Sequence, residues 1–248
     1  MQKNWLERSE LLLKTEGIDV LRNSNLLIVG LGGVGSFAAE FLARAGVGKL
    51  TLADGDVVDL TNINRQLPAL HSTVGKDKVE LVAARLLDIN PEIILTKINE
   101  FLSPERMEEV IDAQKYDYIL DCIDSVSPKV SLIKAAKRRK VKIVSCMGAG
   151  GKLNPAKVMV RDISKTYNCF LAKQVRKRLK TEKIDKGIRC VFSNEIQDEE
   201  SLQMTDGTNF KRSFYGTISY IPALFGLYAA AEVINYLIKS PENAETED

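Results

Sequence analysis

A short apolar run, 25–30 (NLLIVG), breaks into Gly30-Leu31-Gly32-Gly33-Val34-Gly35, and small residues at helical spacing follow over 36–45. No other feature restricts the fold as much. Glycines at G-x-G-x-x-G spacing between a strand and a helix make a turn tight enough for backbone amides and a helix N-terminus to face an anion. A second strand, 49–53 (KLTLA), ends at Asp54, close to the spacing of a dinucleotide-binding βαβ unit with parallel strands. Taken alone, the turn does not separate a nicotinamide or flavin site from an ATP site.

The alternation continues with a helix over 76–89, a strand over 93–98, a helix over 104–114 and a strand over 118–121. A further helix, 128–139, leads to a strand over 142–146. This order predicts an α/β fold, a Rossmann-like, doubly wound, mostly parallel sheet with helices on both faces. From Lys157 the order changes. Strands over 158–162 and 187–192, a basic helix over 171–180 and an apolar helix over 223–238 predict a mixed C-terminal extension. The polar stretch 193–212 has no clear period and is expected to be a mobile surface loop, and the acidic tail 241–248 to fray. No linker or repeat divides the chain, so a single domain is expected over 1–248.

Composition removes several function classes. With 35 Lys plus Arg against 33 Asp plus Glu, the net charge of +2 gives no global attraction to nucleic acid, and such a partner needs a local basic patch. The charged N-terminus has no secretory pattern, so a cytoplasmic protein is expected. Cys122, Cys146, Cys169 and Cys190 contain no C-x-x-C pair and fit neither a disulfide framework nor a structural zinc site. His71 is the single histidine, in a polar setting, which excludes two-imidazole mechanisms. The apolar stretch 218–238 is interrupted by Pro222, Glu232 and Asn235 and is expected to be a buried helix rather than a membrane span.

Beyond Asp54, the segment 54–66 (DGDVVDLTNINRQ) places carboxylates, amides and a guanidinium just past a strand's carboxyl end, where open α/β sheets bind ligands. Asp54 is placed for ribose hydroxyls. Arg65, able to grip phosphate bidentately, and Lys78, a compact charge, suit a triphosphate better than a nicotinamide. Asp121 and Asp124 end another strand, and Asp124 is the better candidate for Mg²⁺.

GLGGVG, LARAGVGKLTLADGDVV with NINRQ, GKDKV and DCIDS, in this order, resemble the ubiquitin-activating-type (ThiF/MoeB/HesA-like) adenylation superfamily. The resemblance implies attack of a carboxylate on the α-phosphate of ATP. It implies that the turn of Gly30, Gly32, Gly33 and Gly35, with Asp54, Asn62, Arg65, Gln66 and Lys78, binds ATP, and that Asp124 binds Mg²⁺. It also implies a homodimer in which Arg8 reaches the partner's ATP. Within the superfamily, IDSVSPKVSLI, GAGGKLNPAKV, RDISKT, LAKQVRKRLK and CVFSNE resemble the tRNA threonylcarbamoyladenosine dehydratases. Cys169-Phe170 departs from that pattern, where an Asp-Pro pair is expected.

That branch implies a tRNA partner carrying threonylcarbamoyladenosine. Two basic clusters suit it: Lys173, Arg176, Lys177, Arg178, Lys180 and Lys183, and Lys137, Arg138, Arg139, Lys140 and Lys142. The loop Gly148-Ala149-Gly150-Gly151 is open to a backbone-close ligand or monovalent cation, or is simply a tight turn. Two other readings remain: an adenylyltransferase acting on the Gly-Gly end of a sulfur carrier, and a non-catalytic, nucleotide-gated partner in a cysteine-desulfurase sulfur relay. Cys122, Cys146 and Cys190 are expected to be buried structural thiols.

Overall fold

The structure is a computed structural model that describes residues 4–204 and 213–239. Its strands β1 (Asn25–Val29), β2 (Lys49–Ala53), β3 (Ile94–Ile98), β4 (Tyr118–Asp121), β5 (Lys142–Cys146), β6 (Val158–Asp162) and β7 (Arg189–Ser193) form one sheet in the order β3-β2-β1-β4-β5-β7-β6. Neighbours are parallel except β6, which runs antiparallel to β7 at the edge. This is the expected doubly wound sheet with a mixed extension. The strand order reverses between β1 and β4, which opens a crevice at their carboxyl ends.

Period-two alternation sorts the core into two layers. Leu26 and Ile28 of β1 face one side and Leu27 and Val29 the other. The first side is covered by α2 (Gly35–Arg44), α3 (Lys78–Ile89) and α7 (Tyr220–Ile238), with α1 (Glu7–Asn23) against α7. The second is covered by α4 (Pro104–Asp112), α5 (Val126–Arg138) and α6 (Phe170–Thr181). By length and composition α7 could cross a membrane, but it packs on α2 and buries Ile221, Phe225, Ala229 and Val233. A Cβ on Gly226 would meet the Val34 carbonyl at 2.5 Å, so glycine sets this close helix approach.

Boundaries moved where local chemistry outweighs periodicity. Both α5 and α7 begin before their prolines, because Pro128 and Pro222 stand in first turns whose N–H groups have no intrahelical partner. Lys76 and Asp77 do not join α3, since Val57 and Asp77 form an isolated bridge there. The expected loop over 193–212 holds a 3₁₀ turn, Glu199–Ser201, and a strand β8 (Leu202–Met204) paired with β9 (Ser213–Tyr215). Residues 205–212 and the acidic tail 241–248 lie outside the described residues.

Candidate functional site

The glycine turn closes the carboxyl end of β1. Gly30 has φ of +92°, and a Cβ there would stand 2.8 Å from the Cys122 carbonyl, so only glycine fits between β1 and the turn after β4. A Cβ on Gly35 would fall 1.8 Å from the Gly30 carbonyl. Gly32 and Gly33 face the next loop: their Cβ positions lie 3.6 Å from Gln66 Nε2 and 3.1 Å from the Arg65 carbonyl.

Asp54 ties these parts together. It accepts the Leu31 amide at 2.5 Å and the Asp56 amide at 2.8 Å, so one carboxylate fixes both the glycine turn and its own loop. Burial raises its pKa above the usual carboxylate value, against the opposing pull of those amides and of Lys78.

The 54–66 segment then folds back over the glycines. Asn62 is buried, accepts the Asp59 amide through its side-chain carbonyl at 3.2 Å, and takes the amides of Arg65 and Gln66 on its backbone carbonyl. Its side chain fixes the turn to Asp59, and its main-chain carbonyl carries the two residues that follow. Arg65 is half-buried and donates to the Thr61 carbonyl and to Asn64 Oδ1, each at 2.9 Å. Burial lowers its pKa, while the charges of Asp124 and Asp59 raise it, which places Arg65 in the field of Asp124. Gln66 Oε1 is buried and has no hydrogen-bond partner among the described residues. Such an acceptor is rare in a finished core and common where a ligand completes the site.

Lys78, at the start of α3, is 3% exposed and donates to Asp56 Oδ2 at 2.9 Å, with Asp56 itself half open to solvent. Across the crevice, Asp124 is exposed in the turn between β4 and α5. Asp121 is excluded as a ligand because it is fully buried on Lys129, at 2.8 Å, and on Ser145 Oγ, at 2.5 Å. Gly30, Gly32, Gly33, Gly35, Asp54, Asn62, Arg65, Gln66, Lys78 and Asp124 thus gather at one sheet edge. Arg8 does not join them. Leu6 packs on Gly46 just before β2, so Arg8 is exposed near the amino edge of the same sheet.

The two basic clusters separate. On α6, Lys173, Lys177 and Lys180 share an exposed face at i, i+4, i+7 spacing, and Arg178 reaches Ser127 Oγ at 2.5 Å beside the Asp124 turn. On α5, Arg138 pairs with Glu108, and Arg139 pairs with Asp112 and, at 3.4 Å, with Glu108. Those guanidinium groups clamp α5 to α4, so Arg138 and Arg139 are already paired with carboxylates. Gly150 and Gly151 pack against Tyr215, and their carbonyls accept Gln197 Nε2 and the Asp198 amide. That is the geometry of a packed turn.

Sequence reading missed Lys129 and Ser145. A signal existed for the lysine, which stands among Val126, Val130 and Ile133 on the buried stripe of α5. His71 is exposed, and Cys146, Cys169 and Cys190 are buried, with Cys122 partly so.

A sequence profile described as the ThiF family matches residues 6–247. The chain belongs to the ThiF family. Among its ThiF-family relatives is the tRNA threonylcarbamoyladenosine dehydratase of Bacillus subtilis (strain 168), 39% identical over 97% of each chain. The molybdopterin-synthase adenylyltransferase of Escherichia coli (strain K12) is 42% identical, but over 52% of this chain and 51% of that protein. The solved structure of E. coli tRNA N6-threonylcarbamoyladenosine dehydratase, TcdA, in complex with ATP superposes with a TM-score of 0.85, at 34% identity over 94% of this chain and 93% of that one.

Proposed function

We propose that this chain is an ATP-dependent tRNA threonylcarbamoyladenosine dehydratase that closes the threonylcarbamoyl side chain into a ring. The observation that carries the reading is coverage. Similarity to the Bacillus dehydratase spans 97% of both chains, whereas similarity to the molybdopterin-synthase adenylyltransferase covers about half of each. The half shared with both supplies adenylation, and the remainder goes with the tRNA branch.

The crevice fits a nucleotide on its own geometry. The glycine turn carries no side chain at Gly30, Gly32, Gly33 and Gly35 and excludes one outright at Gly30 and Gly35, so phosphate oxygens can approach its amides, and the unpartnered Gln66 Oε1 is an acceptor for a ligand N–H or O–H. Asp54, whose two oxygens hold the Leu31 and Asp56 amides, would also accept a ribose hydroxyl. Arg65 and Lys78 neutralise the phosphates, Lys78 by exchanging its partner Asp56 for a phosphate oxygen. One exposed carboxylate suits Mg²⁺, which is carried mainly by phosphates and water, so Asp124 would hold it and the ion would offset charge developing on pyrophosphate.

In the reaction, a carboxylate oxygen of the threonylcarbamoyl group attacks the α-phosphorus and the bond to pyrophosphate breaks, leaving an acyl adenylate. The substrate's ureido nitrogen then attacks the acyl carbon, loses its proton, and AMP departs with the oxygen. Water is removed in the sum. Attack within one molecule reaches effective concentrations of about 10⁵–10⁸ M, so no protein nucleophile is needed. The buried thiols agree with that. A hydrogen bond with Cys146, and then burial, raise the Cys122 thiol well above its usual pKa.

The exposed lysine face of α6 is the surface we assign to RNA phosphates. Arg8, exposed by the amino edge and away from this crevice, is assigned in this reading to the crevice of a second copy in a homodimer. The packed 148–151 turn keeps a structural role in this reading rather than a monovalent-cation role. A tRNA substrate fits the expected cytoplasmic location. The test is AMP and pyrophosphate release in the presence of ATP. It should be driven by tRNA carrying threonylcarbamoyladenosine and not by a small protein ending in Gly-Gly, and Arg65→Ala should reduce it by about 10²–10³. Release driven by the protein and not by tRNA overturns the reading.

A further inference from the structure

The helix after Asp124 carries a cation where its pattern calls for an apolar residue. Lys129 and Asp121 are both 0% exposed at the side chain. All three ammonium protons of Lys129 have an acceptor: Asp121 Oδ2 and the Cys146 carbonyl, each at 2.8 Å, and Ser145 Oγ at 3.4 Å. Asp121 is equally occupied. Its Oδ2 takes Lys129 and Ser145 Oγ, and its Oδ1 takes the Ile123 amide two residues on, at 3.1 Å.

We propose that Lys129 and Asp121 are positioning residues whose buried pair sets the 121–125 turn that presents Asp124 to the nucleotide phosphates and their metal. The proposal rests on the adenylation reading above. A buried ion pair seldom adds stability beyond what a well-packed apolar pair gives, because removing two charges from water offsets their attraction. What this pair does add is direction. Oδ1 of Asp121 bends the chain back at Ile123, one residue before Asp124, while Lys129 anchors the carboxylate to the end of β5 through Cys146. The same turn supplies the Cys122 carbonyl that Gly30 packs against, and the Cys122 amide donates to the Val29 carbonyl at 2.9 Å. The glycine turn keeps its own supports, the Leu31 amide on Asp54 and the Gly30 amide on the Ala53 carbonyl, so the pair acts on the side of the exposed carboxylate and touches no ligand itself.

The test compares nucleotide binding with folding. Asp121→Leu combined with Lys129→Met replaces the pair by apolar side chains and takes away the acceptor of the Ile123 amide, and the protein should still fold with a cooperative melt. Calorimetry with ATP plus Mg²⁺, and separately with AMP, is the decisive readout. Affinity for ATP with Mg²⁺ should fall about 10–100-fold, as when a partner behind a metal ligand is lost, while AMP binding holds. Ser145→Ala, which takes away one hydrogen bond to Asp121, should move the same ratio in the same direction by less. A folded double variant that binds ATP with Mg²⁺ like the parent overturns the proposal, as does one that loses both nucleotides in parallel. A parent that binds neither nucleotide overturns the adenylation reading, and this one with it.

Discussion

Lys78 and Lys129 are both buried lysines paired with an aspartate at the carboxyl edge of the sheet, and they differ in what lies behind the carboxylate. Asp56, the partner of Lys78, has a side chain 45% exposed, whereas Asp121, the partner of Lys129, is sealed. A half-open pair can be exchanged for an incoming anion at small cost, because the released carboxylate returns to water. A sealed pair cannot be, because any loss strands a charge in the interior. In the proposed reading, similar residue pairs thus serve as a movable phosphate contact on one side of the crevice and a fixed strut on the other.

The strongest way to break this contrast is to remove one lysine at a time. Lys129→Met should cost about 3–5 kcal/mol of folding stability in a chemical-denaturation series, since Asp121 is left charged and unpaired. Lys78→Met should cost at most about 1 kcal/mol by the same measurement, because Asp56 rehydrates. Its AMP-release rate should instead fall by about 10²–10³. Equal stability losses would remove the distinction.

A carboxylate served by neutral donors gives an intermediate case. Asp162 accepts the Ser164 amide and hydroxyl and the amides of Gly187 and Ile188. Burial alone would raise its pKa, but these donors bring it below the ordinary 3.8. A folded-state pKa below the unfolded one gives stability that is present above the unfolded value and lost as pH falls through the folded value. Asp162→Asn should therefore lower stability at neutral pH by no more than about 1 kcal/mol, because solvent screens this partly exposed carboxylate. The gap should close on acidification below pH 3.8, as read in melts across pH. Asp121 runs the other way. Burial raises its pKa, so the stability it costs grows as pH rises from its ordinary value through the shifted one.

The smallest expected effects are on RNA. Lys177→Ala, on the open face of α6, should reduce the salt dependence of tRNA binding by about one unit of log–log slope. Arg138→Ala should leave that slope nearly unchanged, because its charge is already taken by Glu108. Equal slopes for the two variants would argue that α6 is only a solvated face.

The sheet was readable because its signals are local. Strand, glycine turn and helix alternate, and Asp54, Arg65 and Asp124 each follow a strand at a distance that brings them to one edge. Partner choice was less readable, since it depends on elements far apart in the chain. Arg138 and Arg139 look like free charge until α4 is packed beside α5, and Lys129 looks like an ordinary helix residue until β4 and β5 close around it. Pairing of β8 with β9 was hidden for the same reason, because each strand has only three residues and its partner lies across 205–212.

The most direct test is mass spectrometry of the modified adenosine recovered from tRNA after incubation with ATP, Mg²⁺ and this protein. The nucleoside should be lighter by one water, with AMP formed in equal amount and neither change seen with the Arg65→Ala protein. An unchanged nucleoside mass alongside undiminished AMP release to another acceptor would contradict dehydration as the reaction.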